Sequence, residues 1–135
     1  MERPLFVVDS IALADPAMAD AVVVSGSHGG VSAARYVLAL PKRPFAVFFN
    51  DAGIGKDQAG IAGLEMLEQV GVLAACYSHD SARIGDAPDG LDNGVVSRLN
   101  GLAMEAGLRA GQRVSSVVQR LRVTAPAPPG RPSVP

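Results

Sequence analysis

The chain has a single cysteine, Cys76, among 135 residues, so no internal disulfide framework is open to it. It has no tryptophan, and its aromatic residues make up only 4% of the total. The core must therefore be built from aliphatic side chains. No run approaches the ~18 apolar residues of a membrane-spanning helix. At the N-terminus only Leu5 to Val8 are continuously apolar before Asp9 intervenes, too short for a signal-peptide core. Net charge of one sign is also missing. The formal value is −1, which gives no electrostatic case for nucleic acid. These absences point to a cytoplasmic protein that binds neither membrane nor nucleic acid.

An apolar fraction of 48% with 19% charged residues suits a globular fold. The length suits one domain, expected over residues 1–124, followed by a proline-rich tail at 125–135. Charge is uneven along the chain. Beyond Glu105 there are five arginines (Arg109, Arg113, Arg120, Arg122 and Arg131) and no acid. That basic segment on an acidic body, with so few aromatics, raises the expectation of a homo-oligomer.

Continuous apolar runs at residues 5–8, 21–24, 45–49 and 72–77 read as buried strands. The first is separated from the second by about ten residues, near the lower limit for a parallel crossover, so it is a candidate antiparallel edge. Helices are expected at residues 31–40, 58–70 and 95–106, with a long polar loop at 78–93. A fifth strand is read at 116–124 from the alternation of Arg120, Leu121, Arg122 and Val123. Strand, polar loop and helix repeated in this way imply a compact three-layer α/β sandwich with a mainly parallel sheet of four to five strands. Ligands bind such sheets beyond the carboxyl ends of the strands. The polar loops fall there.

The first loop, Ser25-Gly26-Ser27-His28-Gly29-Gly30, places hydroxyls and an imidazole before a helix start. Glycines admit a ligand close to the backbone, and helix-start amides favour an anion. The second loop offers Asp51 as a base at a strand end and Lys56 as a cation. The third offers Ser81, Arg83 and Asp86; the guanidinium fork of Arg83 suits the two oxygens of a carboxylate or phosphate. The reading is an enzyme for a small anionic metabolite, acting by acid–base chemistry in hydrolysis or isomerisation. His28 and Asp51 would be catalytic, and Ser25, Ser27, Lys56, Ser81, Arg83 and Asp86 would bind substrate. A non-catalytic ligand-binding or oligomer-forming subunit is the alternative. No cofactor or metal is expected: the glycine spacing at Gly53, Gly55 and Gly60 departs from the dinucleotide fingerprint, and there is neither an H-E-x-x-H nor a cysteine pair.

A further alternative rests on His28 and Cys76. The Ser27-His28-Gly29 turn and the Ala75-Cys76 strand end resemble the caspase-like peptidases over these two short patches. The resemblance implies a His28/Cys76 dyad in which Cys76 is the nucleophile. His79 stands where that family commonly has glycine. Without the dyad, Cys76 is a core thiol.

Overall fold

The computed structural model describes residues 2–123. The tail expected at 125–135 lies outside them. Five strands, β1 (Leu5–Val8), β2 (Val22–His28), β3 (Ala46–Asn50), β4 (Leu73–Tyr77) and β5 (Val96–Leu99), form one sheet in sequential order. The first three pairings are parallel and β4–β5 is antiparallel. The helices are α1 (Val31–Leu38), α2 (Gly63–Glu68), α3 (Ala87–Asn93), α4 (Gly101–Glu105) and α5 (Val114–Val123).

Alternation along the strands divides the core into two layers. Val23, Val47, Phe49, Ala74 and Cys76 face α1, α2 and two short 3₁₀ turns that carry Ile11 and Met18. Val22, Val24, Phe48, Ala75 and Tyr77 face the other way, onto Leu91 of α3, Ala103 of α4 and the Val114, Val117, Val118 and Leu121 stripe of α5. The α/β sandwich with a mainly parallel sheet is the expected architecture.

Several elements differ from expectation. β1 is parallel to β2, with Leu5 opposite Val22, because two 3₁₀ turns at Ile11–Leu13 and Pro16–Met18 complete the crossover without an α-helix. Residues 95–106 are not one helix: β5 comes first, and Asn100 then caps α4 by accepting the Ala103 amide at 3.0 Å. The expected 78–93 loop contains α3, begun by Asp86, whose carboxylate accepts the Asp89 amide. Residues 116–123 of the strand expected at 116–124 belong to α5 instead, because burial at 114, 117, 118 and 121 follows the helical period; Thr124 lies outside the described residues. The helix expected at 58–70 shortens to α2, because Asp57 and Gln58 hold positive φ values of 55° and 59°.

One irregularity shapes the carboxyl end of the sheet. Val24 pairs with Phe48, yet His28 pairs with Asn50, so the end of β2 carries two more residues than β3 opposite it. Such bulges bend a strand and re-aim its side chains. This one is held by Ser25 Oγ donating to the Phe48 carbonyl (2.9 Å) and Tyr77 Oη donating to the Ser25 carbonyl (2.7 Å). Only glycine fits at its crest: a Cβ on Gly26 would lie 2.7 Å from both the Asp86 nitrogen and the Asp9 oxygen.

Candidate functional site

The bulge delivers Ser27 and His28 to the carboxyl end of the sheet. There a cleft of about 400 Å³ opens between the segment after β1 (Asp9, Ser10), α1 (Ser32, Tyr36) and Ile84-Gly85. Ser27 Oγ accepts the Ile11 amide at 2.9 Å, tying the β1 segment to the bulge. Asp9 Oδ1 accepts the Ala87 amide at 3.0 Å. The exposed His28 ring is oriented by its own loop, because the Gly30 amide donates to Nδ1 at 3.1 Å. That bond uses the Nδ1 lone pair and leaves the ring proton on Nε2.

α1 starts at Gly30 with no side-chain cap. The first amides of a helix have no partner within it. Those of Ser32 and Ala33 therefore lie on residues that line the cleft without side-chain capping. A second, smaller cleft of about 230 Å³ is lined by His28 together with Ala52, Ile54, Gly55, Ala59 and Gly60. His28 belongs to both.

Asp51 is buried at the end of β3, only 4% exposed. Its carboxylate accepts Ser97 Oγ (2.7 Å), the Gly53 amide (2.8 Å) and the His79 amide (3.0 Å), and pairs with His79 Nδ1 at 3.3 Å. Burial opposes its ionisation. The hydrogen bonds, led by that from Ser97, outweigh this and hold the carboxyl below its ordinary value. Asp51 thus fastens the second loop to the third. His79 itself is half exposed, and its Nε2 lies 3.2 Å from Asp80.

The remaining expected site residues are distributed as follows. Ser25 is fully buried and spent on the bulge. Ser81 Oγ donates to the Ser78 carbonyl and accepts the Val95 amide, closing the third loop. Asp86 is the α3 cap. Arg83 is exposed, and its amide donates to Asp89 at 2.8 Å. The carboxyl of Asp89 is held low first by Asn93, then by that amide, and also by the charge of Arg83. Lys56 is exposed in a 3₁₀ turn. The structure therefore brings Ser27 and His28 together in the main cleft. Asp51, Lys56 and Arg83 are not among its lining residues.

Cys76 is fully buried, with Sγ 3.8 Å from the Gly60 carbonyl. Burial, then the charge of Asp51, pushes its thiol pKa up. A Cβ on Gly29 would come within 2.7 Å of that sulfur, so the thiol is enclosed under the glycine turn.

Sequence reasoning missed Asp9, Ser10, Ser32 and Tyr36 as cleft residues, and Ser97 and His79 as the partners of Asp51. Asp9 had a legible signal, being the first polar residue after an apolar strand. Ser97 had none, because its role depends on the antiparallel return of β5 beside β4. Compared with family models, curated proteins and solved structures, the chain has no significant match in any of the three.

Proposed function

We propose that the chain is an enzyme for a small carboxylate- or phosphate-bearing metabolite, bound in the cleft at the ends of β1 and β2 and transformed by acid–base chemistry. The observation that carries this reading is His28: a β-bulge aims it into the cleft, and the Gly30 amide fixes its tautomer. The imidazole Nε2–H is the donor for a substrate carbonyl oxygen, and Asp9 in the same cleft is the group able to take a proton. Isomerisation suits this pair, and hydrolysis of an activated ester or amide suits it with water as nucleophile. The anionic end has its natural seat against the α1 start and the hydroxyls of Ser27 and Ser32. Arg83 and Lys56, outside the lining, contribute long-range charge. Asp51 positions loops.

Two further parts of the proposal are a cytoplasmic location and self-association. The second is supported by exposed Leu13, Val31, Tyr36 and Ile84. Turnover of a panel of small carboxylates and phosphate esters tests the enzymatic reading. His28→Gln is expected to lose about 100-fold or more in kcat with an unchanged melting temperature. Equal turnover by the variant refutes the role of His28. Binding without turnover in the wild type moves the protein to the ligand-binding alternative.

A further inference from the structure

The function proposed above uses the main cleft, but His28 lines two. We infer that the smaller cleft is a second subsite of the same active centre, taking a short alkyl group of the substrate. The substrate then straddles His28, with its charged end against α1 and its carbonyl at Nε2. The inference rests on the reading of His28 as the group that meets a substrate carbonyl.

Three observations support it. The lining of the second cleft beyond His28 is made only of alanine, isoleucine and glycine residues, with no ionisable side chain. It therefore offers a hydrocarbon group contact and offers a charged one nothing. Its volume of about 230 Å³ against about 400 Å³ for the first suits a short substituent.

The third observation is the backbone that makes it. Ala52 and Ile54 hold φ values of 53° and 69°, left-handed conformations that side chains disfavour, and a β-branched residue most of all. Strain of this kind persists only where the surroundings enforce it, and it clusters at ligand sites. Here the enforcement is visible. Asp51 Oδ1 grips the Gly53 amide, the Ile54 amide donates to the Asp51 carbonyl at 2.6 Å, and the Gly60 amide closes on the Ile54 carbonyl at 2.7 Å. A Cβ on Gly60 would collide with the Asp51 carbonyl oxygen, so the loop folds back on itself only with glycine there. Residues that a plain connection would not need hold Ala52 and Ile54 at the His28 cleft. Asp51 is then a positioning residue for the subsite.

A homologous series of 2-oxo acids (pyruvate, 2-oxobutanoate and 2-oxopentanoate) tests the inference, titrated by NMR on the His28 ring protons. Each added methylene is expected to tighten binding about fourfold. The terminal methyl of 2-oxopentanoate should show cross-relaxation to the methyls of Ala52, Ile54 and Ala59. Ala59→Leu, which fills the cleft from a position of ordinary φ (−58°), should lose the gain in affinity with chain length. Should that variant not fold, the wild-type cross-relaxation decides alone. If pyruvate shifts His28 but the series is flat, or the methyl contacts Tyr36 and Ile84 instead, the subsite is refuted while the proposed role of His28 survives. If no member of the series perturbs His28, the carbonyl-binding reading and the subsite fall together.

Discussion

At the scale of single residues, Asp51 shows how a buried charge can serve architecture. Four donors converge on it, and removing their acceptor leaves buried or half-buried N–H and O–H groups unpaired. Asp51→Asn, which keeps one acceptor oxygen but sets an NH2 donor in place of the other, is expected to cost about 1–3 kcal/mol. The pH dependence follows from the same bonds. The folded chain holds this proton less tightly than the unfolded chain, whose carboxyl titrates near 3.8. The stabilisation is therefore complete above that value and is lost as pH falls through the lower folded one. Acid-unfolding profiles of wild type and Asp51→Asn should differ above pH 3.8 and converge as pH falls below the lowered folded value. A variant that runs parallel to the wild type at every pH would show that the charge contributes nothing. Cys76 makes the complementary case. With its sulfur enclosed and its thiolate disfavoured, alkylation at neutral pH should proceed only through unfolding, at a rate that rises with denaturant. Cys76→Ala should keep any activity within a few fold; fast native-state labelling with loss of function would return the peptidase reading.

Among elements, α5 and β5 show where pattern reading failed. Residues 120–123 alternate like a strand, but the four buried positions at 114, 117, 118 and 121 complete two helical turns. A short window preferred period two, whereas the full helix obeys 3.6. β5 has only four residues, too few for any period to separate it from the helix that follows. Its end was nonetheless written in Asn100, a buried side chain that caps α4 and donates to the Leu64 and Val72 carbonyls. Leu121→Ala in α5 should lower stability by about 2–5 kcal/mol, because the side chain is buried in the second core layer. Chemical denaturation measures it; a change under about 0.5 kcal/mol would mean that α5 is not docked as described.

The whole molecule is a sheet in sequential order, and that order sets the site. The β1–β2, β2–β3 and β3–β4 connections all cover one face, as crossovers of a single hand require. α3 and α5 cover the other. With no reversal of strand order there is no crevice between diverging connections. The clefts are instead made locally, by the β2 bulge and the strained loop after β3, and share His28. Apolar side chains remain uncovered in this arrangement, with Leu13 63% and Ile84 55% exposed. Light scattering is expected to give a mass above 13.8 kDa per particle that falls on dilution. A monomer at every concentration removes self-association from the proposal.

The sequence by itself determined the buried strands β2, β3 and β4, whose uninterrupted apolar runs have no other stable place than a covered sheet. It also determined that the polar loops follow those strands, and so that His28 stands at a strand end. Tertiary structure decided which side chains share a space. Arg83 and Lys56 have the chemistry for an anion, but their side chains ended outside the cleft, while Asp9 and Ser32, unremarkable in sequence, line it. Asp51 stands at a strand end in the sequence, and only the fold gives it its partners, because β5 returns antiparallel and brings Ser97 within 2.7 Å of it. Strand pattern depends on residues a few places apart, which a chain displays directly. Site membership depends on pairings 28 and 46 residues apart, which exist only once the sheet has closed.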